Sequence, residues 1–206
     1  MKIPALRIVP ALVMAALLSL LAACAEKKPA PPPPPVVDEN GPCVGARVLT
    51  EPTCPGDTPT LQEQILAAQI NAHREDAGLP PIPVSPALTK VANRHVRDLV
   101  LNVRRLSNSW SDCAYAEGNL PTYPCMWGAP QRLKTGYPDT AVEIAYSSSA
   151  AATAEGAFQQ WAGGRQNDLL LSRGQHAGKN WQALGVAIHH EYAVAWFGEA
   201  ADPANQ

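Results

Sequence analysis

The N-terminal segment decides how much of this chain can fold. Lys2 and Arg7 precede an apolar stretch from about Ala11 to Leu21, which is too short to span a bilayer. A basic start followed by a short apolar core is typical of a secretory signal peptide, which is removed from the mature protein. We therefore predict that residues 1–23 take no part in the fold. The chain that follows has the length of one ordinary domain.

Cys24 follows this segment directly, in the sequence Leu21-Ala22-Ala23-Cys24. Small residues before a cysteine resemble the lipobox of bacterial lipoproteins, which implies that Cys24 becomes the lipid-bearing N-terminus. Several acyl chains anchor a protein stably, because each buried methylene contributes about 0.8 kcal/mol. We expect export and attachment to a membrane through this lipid. Ala25 in place of Asp implies the outer membrane, facing the periplasm, if the host is Gram-negative. An ordinary secretory signal and an uncleaved anchor are the alternatives.

Residues 24–40 are predicted to be a linker behind the lipidated cysteine. The proline run from Pro31 to Pro35 cannot bury a core and favours an extended polyproline spacer. Proline-rich runs are also ligands for aromatic-lined grooves, which is the alternative. The net charge is −2, and no basic patch indicates nucleic-acid binding.

Four further cysteines are expected to form disulfides, because an exported chain enters an oxidising compartment. They are Cys43, Cys54, Cys113 and Cys125, and they permit three pairings. Short-range closure favours Cys43 with Cys54, in a stapled lead-in over residues 41–59, and Cys113 with Cys125. Loops of this length are each worth about 3 kcal/mol in the chain-entropy model. A zinc site is the alternative, although neither spacing is C-x-x-C.

Two helices are predicted at the start of the following segment. Thr60 and Glu63 form a capping box, and a helix from Thr60 is expected to end at Gly78. Its apolar face is predicted to contain Leu61, Ile65, Ala68 and Ala72. Ser85 and Pro86 are typical of a second helix start, and an apolar stripe follows from Leu88 to Val103.

The remaining pattern predicts a small sheet. Residues 141–146 alternate as in a strand, and residues 150–162 are typical of a helix. Two apolar runs, 183–188 and 192–196, are joined at His189-His190-Glu191 and favour an antiparallel hairpin. Because both runs are too apolar to face water, we expect helices to cover the sheet on both sides.

Residues 60–202 resemble the CAP superfamily, which comprises the cysteine-rich secretory, antigen 5 and pathogenesis-related proteins. The order and spacing of several short motifs carry the resemblance: Asn71-Ala-His-Arg74, Ala77-Gly-Leu-Pro-Pro-Ile82, the helical Leu88, Ala92, His95 and Asp98, Val142-Glu-Ile-Ala145, Trp161, Leu184-Gly-Val-Ala-Ile188 and Tyr192-Ala-Val-Ala-Trp-Phe-Gly198. The resemblance implies an α/β fold, a three-layer α-β-α sandwich with a small, mainly antiparallel sheet.

The same resemblance implies a central cleft with two histidines and one or two glutamates, which bind a divalent metal in some members. Here Asn108 and Asn167 stand at the histidine positions, Gly164 at the second acidic position, and only Glu143 is retained. An asparagine amide offers no imidazole nitrogen to a metal and cannot carry protons near neutral pH. We therefore expect no metal and no cofactor. Glu143 either contacts a ligand with the two amides or closes a structural network.

Two functions remain open at this point. The first, which the degenerate cleft favours, is a noncatalytic binding module for a lipid, glycan or protein, with Trp110 and Trp127 in a recognition loop; these aromatic residues could equally cap the core. The second is a peptidase or cell-wall hydrolase that uses Glu143 with His176 as a substitute histidine. It requires the two side chains to lie within about 3 Å of each other, directly or through one water. His95 is expected to be a hydrogen-bonded core residue, and His189 and His190 to lie at the surface.

Overall fold

The computed structural model describes residues 43–205. The expected signal peptide, Cys24 and the proline-rich linker lie outside these residues. The α-helices are α1 (Leu61–Asp76), α2 (Pro86–Asp98), α3 (Tyr123–Trp127), α4 (Ala129–Arg132), α5 (Ala154–Gly163) and α6 (Asn167–Leu170). The strands are β1 (Ala141–Ser147), β2 (Ala183–His189) and β3 (Tyr192–Gly198). None of the helices between residues 43 and 205 has the length and apolarity that crossing a membrane requires.

The three strands form one antiparallel sheet in the order β1-β3-β2. β2 and β3 are the predicted hairpin, since His189 pairs with Tyr192 across the turn. β1 pairs with β3 from Ala141 opposite Gly198 to Ser147 opposite Tyr192. β1 is therefore an edge strand, and its second edge is free of other strands.

Each face of the sheet carries its own apolar core. α1 and α5 cover one face, where the buried side chains include Leu66, Ile70, Trp161, Leu184, Val186 and Phe197. α2 covers the opposite face, where they include Leu88, Val91, Ala92, Ala187, Val194 and Trp196. This is the expected three-layer α-β-α arrangement.

α2 lies very close to the sheet at Gly185. A Cβ on this residue would lie 2.1 Å from the backbone carbonyl carbon of Leu88 and 2.4 Å from the backbone nitrogen of Thr89. Glycine is therefore required on sterical grounds where α2 crosses β2. The helix begins as predicted, with Ser85 Oγ accepting from the backbone N–H of Leu88 at 2.9 Å.

α1 has the predicted ends but a different buried face. Its capping box between Thr60 and Glu63 is present, and Gly78 follows the helix with a φ of +75°. Leu61, Ile65, Ala68 and Ala72 are exposed, so the predicted face is wrong. The buried residues are Glu63, Leu66, Ala67, Ile70 and Arg74.

The two charged members of this buried face explain the difference. Glu63 Oε1 accepts from the backbone N–H of Ile188 at 2.8 Å, and Arg74 donates to the carbonyl oxygen of Leu170 at 2.6 Å. They satisfy backbone groups inside the protein, whereas a hydrophobic pattern assigns charged residues to solvent.

Both favoured disulfides are present, Cys43–Cys54 and Cys113–Cys125. The first lies in the lead-in, which includes a 3-10 helix (Gly45–Leu49) and packs on α2. The buried Arg94 of α2 holds this segment through an ion pair with Asp57 at 2.9 Å. The second disulfide lies in the long segment between α2 and β1.

Candidate functional site

A buried acid–base pair joins α2 to the edge strand β1. The Glu143 side chain projects from β1 towards α2, where His95 Nδ1 is hydrogen-bonded to Glu143 Oε1. Asn108 Nδ2 donates to the other carboxylate oxygen, Oε2, at 2.8 Å. The His95 and Glu143 side chains are both fully buried. Each oxygen of the carboxylate therefore already has a partner from the protein.

The contacts of His95 favour its charged form. Its Nε2 lies 3.2 Å from the carbonyl oxygen of Ser109, which can only accept a hydrogen bond, so Nε2 carries a proton. Burial lowers the pKa of His95, but the charge and hydrogen bond of Glu143, the Ser109 carbonyl and the charge of Asp98 together raise that pKa above its usual value. The pair is therefore an imidazolium and a carboxylate.

Trp110 supports the imidazolium from one side. Its ring stacks on His95 with centroids 4.3 Å apart and an interplanar angle of 25°. The face of an indole ring attracts a cation, and this attraction is stronger where water is excluded. The pair is thus held by charge, hydrogen bonds and an aromatic surface together.

Glu143 contacts the neighbouring cavity through its main chain. The whole residue is 7% exposed, whereas its side chain is 0% exposed. The exposed part is therefore backbone, and the carboxylate itself does not reach the cavity surface.

The cavity has a volume of about 870 Å³ and runs along the free edge of β1. One wall is aromatic and apolar and comes from the segment before β1: Leu106, Tyr115, Tyr123, Met126 and Trp127. The opposite wall is polar and includes Arg165, Gln166, Asp168, Gln175, His176 and Lys179. A volume of roughly 300–1,000 Å³ with a mixed lining is typical of small-molecule sites.

The charges around the cavity are mostly negative. Lys179 is paired with Glu199, so these two cancel. Glu117, Asp139 and Asp168 have no ion-pair partner within residues 43–205, and Arg165 is the one lining cation in that range without such a partner. The cavity therefore favours neutral or cationic ligands over anionic ones.

The family model for CAP, the cysteine-rich secretory protein family, matches residues 67–193, which is more than half of the chain. The chain belongs to the CAP family. A search of curated proteins found no match.

The CAP domain is also similar to a solved structure, that of an extracellular protein containing a SCP domain from Bacillus anthracis str. Ames. The TM-score is 0.51 and the sequence identity is 18%. The match covers 73% of this chain and 45% of that protein, so this chain spans less than half the length of its structural relative. At this identity the likeness shows the fold alone.

Asn167 is not in the cleft of this CAP domain, contrary to the expectation. It lies in the first turn of α6, and its Oδ1 accepts from His73 Nε2 of α1 at 2.8 Å. The amide thus joins two helices on the opposite face of the sheet from Glu143. Of the two asparagines at the family's histidine positions, Asn108 alone contacts Glu143.

His176 lies in the polar wall of the cavity but is not bonded to Glu143. Its ring lies 6.1 Å from that of Trp181, and its Nε2 is 3.3 Å from the side-chain nitrogen of Gln175. Burial and the charge of Lys179 lower the pKa of His176. Because His95 and Asn108 occupy both carboxylate oxygens of Glu143, the required contact with His176 is not made.

The two tryptophans of the expected recognition loop have different roles. Trp110 is 3% exposed and packs against His95 in the core. Trp127 is 37% exposed and lines the cavity beside Tyr123, with ring centroids 4.7 Å apart. Trp127 is therefore the tryptophan placed to touch a ligand.

Sequence reasoning identified His95 as a packed histidine but did not find its partner. The signal was available in part, because Glu143 is an acidic residue in an apolar strand and a buried carboxylate requires donors. Within the described range 43–205, no group of three or more His, Cys, Asp or Glu side chains is arranged to hold a metal ion.

Proposed function

We propose that this protein is a membrane-anchored, exported CAP domain that binds a ligand in its cavity without catalysing a reaction. The observation that carries this proposal is the state of Glu143. Its carboxylate is buried, and His95 and Asn108 occupy its two oxygens. A general base must reach the proton that it removes, and this carboxylate does not line the cavity with its side chain.

The alternative hydrolase is less well supported. It needs His176 and Glu143 to act together, yet His176 is bonded to Gln175 and Glu143 to His95. The hydroxyl of Ser109 is no substitute nucleophile, because it is engaged with the backbone of Tyr115 in both directions, at 3.0 and 2.9 Å.

Native mass spectrometry of the chain purified from a bacterial envelope tests ligand binding. The wild type is expected to carry a bound molecule, and Thr140→Trp, at a cavity-lining position, is expected to lose it. Leu120→Trp is the matched control, because Leu120 is 71% exposed and does not line the cavity. The same bound mass in all three proteins, or none in the wild type, contradicts binding in the cavity.

Detergent phase partitioning tests the anchor separately. The wild type is expected in the detergent-rich phase and Cys24→Ser in the aqueous phase, since acyl chains alone provide the membrane affinity. Recovery of both proteins from the aqueous phase contradicts lipidation at Cys24.

A further inference from the structure

The free edge of β1 presents main-chain groups to the cavity. In an antiparallel strand, the N–H and C=O of one residue point to the same side, and this side alternates along the strand. Trp161 Nε1 donates to the carbonyl oxygen of Ala145 at 3.3 Å, so the main chain of Ala145 points away from β3. The main-chain groups of Glu143, two residues earlier, point the same way.

The exposure of Glu143 agrees with this register. Its side chain is buried while part of the residue is exposed to the cavity, so the accessible part is its N–H and C=O. No other group within residues 43–205 forms a hydrogen bond with them outside the strand. Glu143 therefore offers one donor and one acceptor side by side.

The neighbouring positions on this edge offer much less. Ala141 is 2% exposed, and the Ala145 carbonyl already accepts from Trp161. An added peptide strand needs a main-chain pair at every second residue of the edge. A single amide group needs only one such pair, which is what the edge provides at Glu143.

An aromatic wall lies beside this pair. α3 packs against β1, and it carries Tyr123 and Trp127. Tyr115 extends the row, with its ring 5.4 Å from that of Tyr123. Aromatic faces attract the weakly positive C–H groups of an apolar surface because the face of the ring is electron-rich. One face of a pyranose ring is such a surface.

We propose that the cavity binds an uncharged N-acetylated saccharide. Its acetamido group pairs with the main-chain N–H and C=O of Glu143, and a pyranose ring stacks on Trp127. The unpaired carboxylates of Glu117, Asp139 and Asp168 disfavour anionic lipids and acidic polymers in the same space. This inference rests on the proposed binding function and names its ligand class.

Calorimetric titration of the full chain with N,N′,N″-triacetylchitotriose tests the ligand chemistry. Cellotriose has the same pyranose backbone without acetamido groups, so we expect it to bind about tenfold more weakly or not at all, the change that corresponds to about 1.4 kcal/mol. Sodium laurate and an uncharged trialanine peptide are titrated as the anionic-lipid and peptide comparisons. Equal affinity for the two saccharides overturns recognition of the acetamido group.

Variants test the aromatic contact. Trp127→Ala is expected to weaken triacetylchitotriose binding about tenfold, in line with the loss of one aromatic contact. Leu120→Ala removes an exposed apolar side chain from the same segment but away from the cavity, so its affinity is expected to equal that of the wild type. Equal affinities of these two variants overturn the assignment of Trp127.

The comparison ligands separate this inference from the proposed function. Binding of laurate or trialanine without triacetylchitotriose overturns the saccharide assignment and leaves the cavity as a ligand site. Binding of none of the probes also overturns the saccharide assignment, while the proposed binding function is then decided by native mass spectrometry of the envelope-purified protein.

Discussion

The His95 imidazole and the Glu143 carboxylate form a buried pair that ties the helix α2 to the edge strand β1. The pair lies directly behind the cavity, and Asn108 links it to the segment that carries the aromatic wall. The acid of this CAP cleft therefore has a structural role, because its partners position the surfaces that a ligand would meet.

Removing the acid of this pair is expected to destabilise the protein strongly. Glu143→Ala leaves the buried His95 without its counter-charge, and loss of one member of a buried pair typically lowers the free energy of unfolding by about 3 kcal/mol. Glu199→Ala is the control, because Glu199 forms an exposed pair with Lys179, and such pairs contribute less than about 1 kcal/mol. Urea unfolding at pH 6 measures both variants. Equal midpoints for the two variants contradict the ion pair.

The same pair predicts a pH dependence of stability. The pKa of His95 is raised in the folded protein, whereas an unfolded histidine releases its proton near pH 6.5. The stability from this proton is complete below about pH 6.5 and is lost as the pH rises through the raised pKa. In Glu143→Gln, the amide can donate to a neutral His95, so this loss at high pH is expected to disappear. Urea unfolding between pH 6 and 9 compares the two proteins; identical profiles contradict the assignment.

Local sequence signals predicted the parts of this fold that depend on neighbouring residues. The capping box at Thr60, the proline-containing start at Ser85 and the hairpin around His190 follow from short-range backbone chemistry. The disulfides also follow from short-range closure. These features need no knowledge of the tertiary arrangement.

The parts that could not be predicted depend on contacts between distant elements. α1 turns Glu63 and Arg74 inward because they bond backbone groups far along the chain, and hydrophobic periodicity cannot register such bonds. Asn167 follows the family's spacing, yet its side chain is taken by His73 of α1. His95 and Glu143 are 48 residues apart, so their pairing becomes visible only once α2 lies on the sheet.

His189 is expected to act in the opposite direction at lower pH. It is half-buried rather than at the surface, as the sequence had suggested, and burial together with the charges of Arg97 and His190 lowers its pKa to about 4. Between about pH 6.5 and 4 the unfolded chain binds a proton that the folded protein does not, so stability is lost as the pH falls.

His189→Gln is expected to reduce this acid sensitivity, which urea unfolding at pH 4.5 and 6.5 measures. His190→Asn is the control in the adjacent turn, since asparagine tolerates the positive φ of 52° at that position. If His190→Asn removes the acid sensitivity and His189→Gln leaves it unchanged, the assignment to His189 is contradicted.

The two disulfides are expected to have similar effects on stability but different effects on the cavity wall. Their sequence separations are 11 and 12 residues, so replacing either pair by serine is expected to lower the free energy of unfolding by about 3 kcal/mol. Only the Cys113–Cys125 bond encloses residues of the aromatic wall.

Chymotrypsin cleavage separates the two disulfide variants. The Cys113→Ser/Cys125→Ser protein is expected to be cut rapidly near Tyr115 or Tyr123, because that segment is no longer closed. The Cys43→Ser/Cys54→Ser protein serves as the control for general destabilisation and is expected to retain slow cleavage there. Equal cleavage rates at these sites contradict a specific role of Cys113–Cys125 in holding the wall.

Gly185 tests how closely α2 must approach the sheet. In Gly185→Ala, the new methyl group would lie within 2.4 Å of the Leu88 and Thr89 backbone, and a helix backbone cannot yield as a flexible side chain does. Such overpacking is expected to lower the free energy of unfolding by about 3 kcal/mol. Gly163→Ala at the end of α5 is the control, because its Cβ would meet no atom within 4 Å. Since α2 also carries His95, displacement of the helix is expected to weaken the pair with Glu143, so that the high-pH loss of stability diminishes in Gly185→Ala. Unfolding curves at pH 6 and 9 measure both effects, and a Gly185→Ala protein as stable as Gly163→Ala contradicts the close contact between α2 and β2.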